Sequence, residues 1–348
     1  MSPEALILAL ETSCDDTCAA VVDGAGRVRS NVISSQRVHD RFGGVVPEIA
    51  SRHHLELVNV VVDQALAEAG VTLDELELVA ATRGPGLVGA LLVGLSTAKA
   101  LAAARELPFA PVDHLQGHVA ANFLAVGFEP PFLCLIASGG HTLLAHVRAH
   151  DGFEVLGRTL DDAAGEAFDK GARMLGLGYP GGAALERLAA AGDPQAFMFP
   201  ASGRRSHGRS GRAGDPRKSF ASSLDFSFAG LKTSLLYRVR ELSEQELRAR
   251  AADLAASYQA AIVESLALRV EQALELTGLE RLAVGGGVAA NGPLRARLSG
   301  LTRAVHIPPP VLCTDNAAMI ASAARFSGRL AYPRYLGLDA YATGERPR

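Results

Sequence analysis

The chain has 348 residues, of which 48% are hydrophobic and 20% are charged, and its formal net charge at pH 7 is −3. This length exceeds what one ordinary hydrophobic core supports, so we expect two packed lobes. The composition excludes an intrinsically disordered chain. The nearly balanced charge excludes a basic field over the whole surface, so a nucleic-acid partner would have to bind a local basic patch.

Neither the N-terminal sequence nor the cysteines indicate export. Residues 1–10 lack the basic stretch of a signal peptide, and the most apolar run, 87–104, contains Lys99 and several small residues. We therefore predict a cytoplasmic protein without a membrane span. The cysteines lack the paired spacing of a four-sulfur zinc site and are expected to be reduced and mostly buried: Cys14, Cys18, Cys134 and Cys313.

The first half of the chain alternates between short apolar runs and helical periodicity. We predict strands at 6–10, 18–22 and 28–33, with a polar turn at 11–17 between the first two. Pro47 opens an amphipathic helix to about residue 69, a buried strand follows at 78–82, and an apolar helix ends near residue 106. His53 and His54 are neighbours on the first helix, and we expect both to be surface or interface residues.

The second half repeats this order. Strands are predicted at 132–137, 143–147 and 153–159, helices at 162–175 and 244–277, and a further strand at 282–284 that enters Gly285-Gly286-Gly287. Two similar halves separated by roughly 125 positions indicate an internal duplication. The alternative is that any α/β protein produces two such units by chance.

Two polar turns in matching positions indicate phosphate binding. The turn at 138–142 reads Ser-Gly-Gly-His-Thr, and glycines without a Cβ let backbone N–H groups approach an anion. The turn at 11–17 takes the equivalent place in the first half, and facing turns would hold a polyphosphate or an acyl phosphate between them. An ordinary hairpin is the alternative for each turn alone. Neither turn is a Walker A loop, which disfavours a P-loop or dinucleotide-binding fold.

Three further positions favour nucleoside binding. Asn291 follows the glycine run at 285–287 and could read a base edge or a ribose hydroxyl, although a loop selected for tight packing explains the run equally well. Asp169 falls on a predicted helix, where its carboxylate could accept bonds from a ribose, and Gly182 could let a ring pack on the backbone. The alternative for Asp169 is a solvated helix face.

His114 and His118 favour a metal site. Their spacing of four places both imidazoles on one face of a helix. Asp315 could add a carboxylate from the other lobe, and two histidines with one carboxylate suit Fe(II) or Zn(II). Two surface histidines without a metal are the alternative. A zinc protease of the His-Glu-x-x-His type needs a glutamate directly after the first histidine as its general base. This chain has Leu115 at that position, which disfavours a peptidase function.

Taken in order, these motifs resemble those of the bacterial TsaD family, the tRNA adenosine threonylcarbamoyltransferases formerly labelled O-sialoglycoprotein endopeptidases. The matching runs cover nearly the whole chain: 11–17, 84–86, 114–118, 138–142, 161–170, 179–182, 225–233, 286–291 and 313–318. The resemblance implies an α/β fold, the duplicated actin-like ATPase fold of sugar kinases and heat-shock chaperones, with two lobes and a central cleft. The expected first lobe is 1–128 plus about 318–348, which carries the His pair, and the second is 129–317, which carries the donor-binding loops.

The implied reaction moves a threonylcarbamoyl group from threonylcarbamoyl-AMP to the adenosine 3′ of the anticodon in tRNAs that read codons beginning with A, and it releases AMP. The resemblance implies one divalent metal ion, Fe(2+) in preference to Zn(2+), on His114, His118 and Asp315. It implies donor binding by Ile136, Ala137, Ser138, Gly139, Gly140, Asp169, Gly182 and Asn291. The expected partners are a TsaB-like paralogue and a TsaE-like ATPase. No residue is an obvious general base, and Asp15 and Asp16 are candidates by position.

Two other functions remain open at the level of sequence. A small-molecule kinase or ATPase of the same fold would turn over ATP steadily and would not need the His pair. A catalytically inert scaffold like the paralogue would lack the His-His-Asp group, which this chain retains.

The segment 201–220 is longer and more basic than the family pattern leads us to expect. It holds five arginines and Lys218 against one acid, Asp215, and its glycines predict a flexible surface insertion. Our hypothesis is that it contacts tRNA phosphates, and the alternative is a solvated, lineage-specific insertion. Replacing its arginines with serine should weaken tRNA binding and flatten its salt dependence, measured by binding titrations at several salt concentrations. Unchanged tRNA affinity would contradict the hypothesis.

Overall fold

The computed structural model describes residues 1–124, 128–200 and 223–342. The basic segment at 201–220 therefore lies outside the described residues. The strands are β1 Leu6–Glu11, β2 Asp16–Asp23, β3 Val28–Ser35, β4 Leu76–Gly84, β5 Phe109–Asp113, β6 Phe132–Ala137, β7 Thr142–Ala149, β8 Gly152–Arg158, β9 Arg281–Gly285 and β10 Ala304–His306. The helices are α1 Pro47–Ala69, α2 Val88–Ala103, α3 His114–Ala120, α4 Ala164–Met174, α5 Gly181–Ala189, α6 Ala229–Glu241, α7 Glu244–Thr277, α8 Gly292–Ser299, α9 Pro310–Cys313 and α10 Ala317–Ala324.

The chain divides into two compact units. Unit 1 contains the described residues of Met1–Pro130, Ala149–Gly152 and Pro308–Arg348, and unit 2 contains those of Pro131–Arg148 and Phe153–Ile307. The last stretch of unit 1 begins at Pro308, which is earlier in the chain than the lobe boundary expected near residue 318.

Unit 1 is built on a five-stranded sheet in the order β3-β2-β1-β4-β5. β1 runs antiparallel to β2 and parallel to β4, which is in turn parallel to β5. Helices α1 and α2 pack on the sheet face that contains Leu8, Leu10 and Val79. Helix α10 packs against β1, β2, β4 and β5 on the other face. Cover on both faces explains why β1 is a continuous apolar run rather than an alternating one.

Unit 2 repeats this plan, with a sheet in the order β8-β7-β6-β9-β10. The central strand β6 is antiparallel to β7 and parallel to β9, and β9 is parallel to β10. The same order around the first strand of each half confirms the predicted duplication. The long helix α7 is packed against α5, α4 and β6, and its bounds agree with the predicted 244–277.

The cysteine prediction is confirmed, because all four cysteines are free and Cys18, Cys134 and Cys313 are buried. Among the described residues, no helix combines the length and the apolar character that crossing a bilayer requires.

Candidate functional site

Helix α3 begins directly at the end of β5 and carries both predicted histidines. Asp113 is its N-cap, and Asp113 Oδ1 accepts hydrogen bonds from the backbone N–H groups of Leu115 (2.9 Å) and Gln116 (3.2 Å). The rings of His114 and His118 lie with their centroids 4.7 Å apart. The prediction that they share one helix face is therefore confirmed.

Asp315 completes a cluster with the two histidines. Its Oδ1 lies 3.3 Å from His118 Nε2 and 3.7 Å from His114 Nε2, and one ligand atom from each residue lies within 4.8 Å of the others. The expectation that Asp315 comes from the other lobe is wrong. Asp315 belongs to unit 1, because the adjoining helix α10 packs on α3, β1 and β2 and brings the segment before it to the same place.

The donor set fits a divalent metal ion. His118 is fully buried, and neither of its ring nitrogens makes a hydrogen bond within the described part of the chain. A buried polar atom without a partner is costly, and a metal ion would satisfy it. Two imidazole nitrogens and one carboxylate are typical ligands of Fe(II) and Zn(II) and leave coordination positions open.

Glu11 orients the first histidine. The Nδ1–H of His114 donates to Glu11 Oε2 over 3.0 Å, while the hydroxyl of Thr82 and the backbone N–H of Ser13 also donate to this carboxylate. A proton fixed on Nδ1 leaves Nε2, the nitrogen nearer Asp315, to bind a metal. Sequence reasoning missed this role of Glu11. The carboxylate at the end of an otherwise apolar strand could have indicated a functional residue.

The charges around His114 shift its pKa. Burial alone would lower this pKa, but the carboxylates of Glu11 and Asp315 outweigh burial and raise it to about 9. The pKa of Glu11 is lowered, since the charge and hydrogen bond of His114 outweigh the effect of burial on the carboxyl. Without a metal, the two residues therefore form a buried ion pair near neutral pH.

A pH prediction follows from this pair. The folded pKa of His114, about 9, lies above its ordinary value of 6.5, so the pair's contribution to stability is complete below 6.5 and is lost as the pH rises through 9. A metal ion has to displace the proton, so metal affinity should rise over that same range. Denaturant unfolding of the metal-free protein and chelator competition at pH 6.5 to 9 measure the two trends. A metal affinity that is flat across this range would contradict the assignment.

The acidic turn lies beside this cluster. Burial raises the pKa of Asp16 to about 7, opposed by a hydrogen bond from Ser35, and burial also raises the pKa of Asp15. The charge of Asp315 acts on both carboxyls in the same direction. Burial likewise raises the pKa of the Cys14 thiol, so Cys14 remains protonated and is poorly suited to be a nucleophile.

The expectation that His54 is a surface or interface residue is wrong. Its ring is fully buried between α1 and the acidic turn. Its Nε2–H donates to the Cys14 carbonyl oxygen at 3.0 Å, and its Nδ1 accepts from the Thr17 hydroxyl at 2.8 Å. These bonds define a neutral imidazole, in accord with a pKa that burial lowers. His54 therefore fixes the backbone of the turn that carries Asp15 and Asp16.

Replacing His54 with alanine is expected to lower the free energy of unfolding by roughly 2–4 kcal/mol, because it removes two buried hydrogen bonds and leaves a cavity. Denaturant unfolding measures the loss. His53→Ala is the matched control, since His53 is partly exposed and only approaches Glu56, at 3.8 Å. Equal effects of the two substitutions would contradict the role given to His54.

In unit 2, three loops meet at the end of β6. The Ser138 backbone N–H donates to the His141 carbonyl oxygen at 2.8 Å, which closes the turn, and Gly139 and Gly140 are exposed with open space beside them. The start of α4 packs on this turn, because a Cβ on Gly165 would lie 2.7 Å from the Ser138 carbonyl oxygen. Gly286 has φ +87, and a Cβ there would lie 2.3 Å from the Ala137 carbonyl oxygen. Both the Ser138 turn and the glycine run at 285–287 therefore lie at this strand end, and Ile136 lies within β6 close to it.

The remaining predicted donor-binding residues lie in neighbouring elements of unit 2. Asp169 is on α4, as predicted, and its Oδ1 accepts from the Gly181 backbone N–H at 2.8 Å, next to Gly182 in the first turn of α5. The Asn291 side chain makes hydrogen bonds within the protein through both its oxygen and its nitrogen. Its Oδ1 caps α8, and its Nδ2 donates to Glu186 and Gln259. Sequence reasoning missed Glu186, which also accepts from the Gly292 N–H.

Solved structures share this fold. A HypF structure from T.kodakarensis matches 93% of this chain and 47% of its own length, with a TM-score of 0.59 and 13% sequence identity. At that identity the match shows the fold alone. The duplicated sheets and this match define an α/β protein of the actin-like ATPase fold, and unit 1 carries a candidate His-His-Asp metal site.

The sequence comparisons give the family. The family model described as TsaD, tRNA N6-adenosine threonylcarbamoyltransferase, matches residues 27–322. A protein of that name from Pelobacter propionicus is 49% identical over 99% of this chain and 98% of its own length. Another from Symbiobacterium thermophilum is 50% identical over 97% of this chain and 96% of its own length. The chain belongs to the TsaD family.

Proposed function

We propose that the chain is an acyltransferase that moves the threonylcarbamoyl group from threonylcarbamoyl-AMP to the adenosine 3′ of the anticodon in tRNAs reading codons that begin with A. The observation that carries the proposal is family membership over nearly the full chain, together with the His-His-Asp cluster that an inert scaffold would not need. In this reaction the adenosine amine attacks the carbamoyl carbonyl, the amine loses a proton, and AMP leaves with the bonding electrons. Because the substrate would be a tRNA, the proposed location is the cytoplasm.

His114, His118 and Asp315 would hold one divalent metal ion, Fe(2+) by family resemblance or Zn(2+). A bound ion would supply Lewis-acid stabilisation of negative charge on oxygen. The chain itself prepares the ligands. Glu11 holds the His114 ring with Nε2 directed to Asp315, and the buried environment of His118 excludes competing hydrogen bonds from water.

In unit 2, the loops at the end of β6 would bind the adenylate. The exposed backbone at Gly139 and Gly140 leaves room for a phosphate, whose charge would be held by peptide N–H groups as AMP departs. Ile136, Ala137, Ser138, Asp169, Gly182 and Asn291 complete this proposed binding set. Since the Asn291 amide already bonds Glu186 and Gln259, we propose that Asn291 acts by shaping the loop that faces the nucleoside.

By position, Asp15 and Asp16 in the acidic turn are the candidates for the general base that would accept the proton lost by the adenosine amine.

We also propose that units 1 and 2 correspond to the two lobes of the actin-like fold, with the lobe boundary at Pro308 rather than near residue 318. By family resemblance, the chain would work with a TsaB-like paralogue and a TsaE-like ATPase.

The test is incubation of the chain with tRNA, threonylcarbamoyl-AMP and the partner proteins, with the modified nucleoside read by mass spectrometry. The expected result is threonylcarbamoyladenosine and an equal amount of AMP. Steady ATP hydrolysis that depends on a small alcohol or carboxylate, without modified nucleoside, would instead support a kinase of the same fold.

A further inference from the structure

Tyr341 lies against the start of the helix that carries the His pair. Its hydroxyl donates to Asp113 Oδ2 over 2.7 Å and also lies 3.0 Å from the Gly84 carbonyl oxygen. Its backbone N–H donates to the Arg83 carbonyl oxygen at 3.2 Å. The ring lies close on Gly84, where a Cβ would come within 2.9 Å of Tyr341 Cδ2. Tyr341 is therefore seated against the end of β4 rather than extended into solvent.

The residues before Tyr341 are fastened to the same unit by buried or half-buried donors. Lys99 Nζ on α2 donates to the carbonyl oxygens of Leu336 (2.9 Å) and Leu338 (2.8 Å). Arg83 Nε donates to the Asp339 carbonyl oxygen at 2.9 Å. These bonds to the main chain fix the path of 336–341, so the position of the Tyr341 hydroxyl is set by the fold.

Asp113 uses its two carboxylate oxygens for different tasks. Oδ1 caps α3 through Leu115 and Gln116, while Oδ2 accepts from Tyr341. A carboxylate held at both oxygens has little rotational freedom, and the capped turn that it defines begins with His114. Further along α3, Gly117 packs closely on Ile320, where a Cβ would approach to 2.7 Å.

We propose that Tyr341 is a positioning residue for the metal site, which acts through Asp113 to set the first turn of α3 and the direction of the His114 ring. The proposal rests on the metal site of the proposed function. It assigns a role in the metal site to the segment 336–341.

The test compares the Zn2+ affinity of the full-length wild type, Tyr341→Phe and Tyr335→Phe by competition with a chromophoric chelator. Loss of an outer-shell partner of a metal ligand typically costs 10- to 100-fold in affinity, so Tyr341→Phe, one bond further out, should cost about three- to tenfold. Tyr335→Phe is the matched control, because the buried Tyr335 hydroxyl makes no hydrogen bond among the described residues. Its Zn2+ affinity should equal that of the wild type.

A double-mutant cycle separates positioning from a general structural effect. If Tyr341 acts through Asp113, the variant with both Asp113→Ala and Tyr341→Phe should bind Zn2+ no more weakly than Asp113→Ala alone. Wild-type affinity in Tyr341→Phe, or effects that add in the cycle, would overturn the proposal while leaving the metal site intact. Failure of the wild type to bind Zn2+ at all would overturn the metal site and the proposal together.

Discussion

Replacing His118 with leucine is expected to abolish metal binding and transferase activity while leaving the metal-free protein at least as stable as the wild type. The ring nitrogens of His118 are buried and make no hydrogen bond within the described chain. An apolar side chain removes an unsatisfied group that costs about 1–3 kcal/mol, and it also removes one of three ligands. Metal affinity should fall by more than the roughly 10- to 100-fold that an outer-shell loss costs. Chelator competition, thermal unfolding of the metal-free protein and the nucleoside assay measure the three effects.

His114→Ala should behave differently and serves as the contrast. It also removes a ligand, but it leaves the buried Glu11 carboxylate without its ion-pair partner. The metal-free variant should therefore lose about 3–5 kcal/mol of stability. His53→Ala, on the exposed side of α1, should change neither metal affinity nor activity. A His118→Leu variant that keeps full metal affinity would contradict the assignment of His118 as a metal ligand.

Replacing Gly286 with alanine is expected to abolish adenylate binding in unit 2. Gly286 has φ +87, and its Cβ would lie 2.3 Å from the Ala137 carbonyl oxygen, so the turn has to move away from the end of β6. Strain and overpacking together should cost roughly 2–5 kcal/mol of stability. Calorimetry with AMP measures binding, and Zn2+ affinity reports whether unit 1 is still intact.

Gly300→Ala is the matched control for this substitution. Gly300 also lies in unit 2, at the end of α8, with φ −97 and open space where a Cβ would go. Its AMP affinity should match that of the wild type. Retained AMP affinity in Gly286→Ala would show that the glycine run at 285–287 has no part in the donor site.

Local patterns in the sequence were sufficient to predict most of the strands and helices. The apolar run before the Gly-Gly turn predicted β6 with its observed bounds, and helical periodicity predicted α1, which Pro47 opens, and α7. The spacing of His114 and His118 fixed their common face, because helix geometry alone determines it. Motif order then supplied the family, which the comparisons confirm.

Residues whose roles depend on distant chain segments were not predictable in this way. The partner of Glu11 is His114, 103 positions away, and nothing local marks the pair. His54 looked exposed beside His53, although the acidic turn covers it in the fold. Asp315 was assigned to the wrong lobe because its place is decided by the packing of α10 on α3, and tertiary packing of this kind leaves no periodic signal.

The discontinuity of unit 1 has a consequence for synthesis on the ribosome. Its sheet is complete by Asp113, but one face of that sheet is covered by α10, which begins only at Ala317. Unit 2 is encoded almost entirely in between. During synthesis from the N-terminus, the apolar face of the first sheet therefore stays uncovered until α10 has been made. We expect the chain to need protection by chaperones most at this stage.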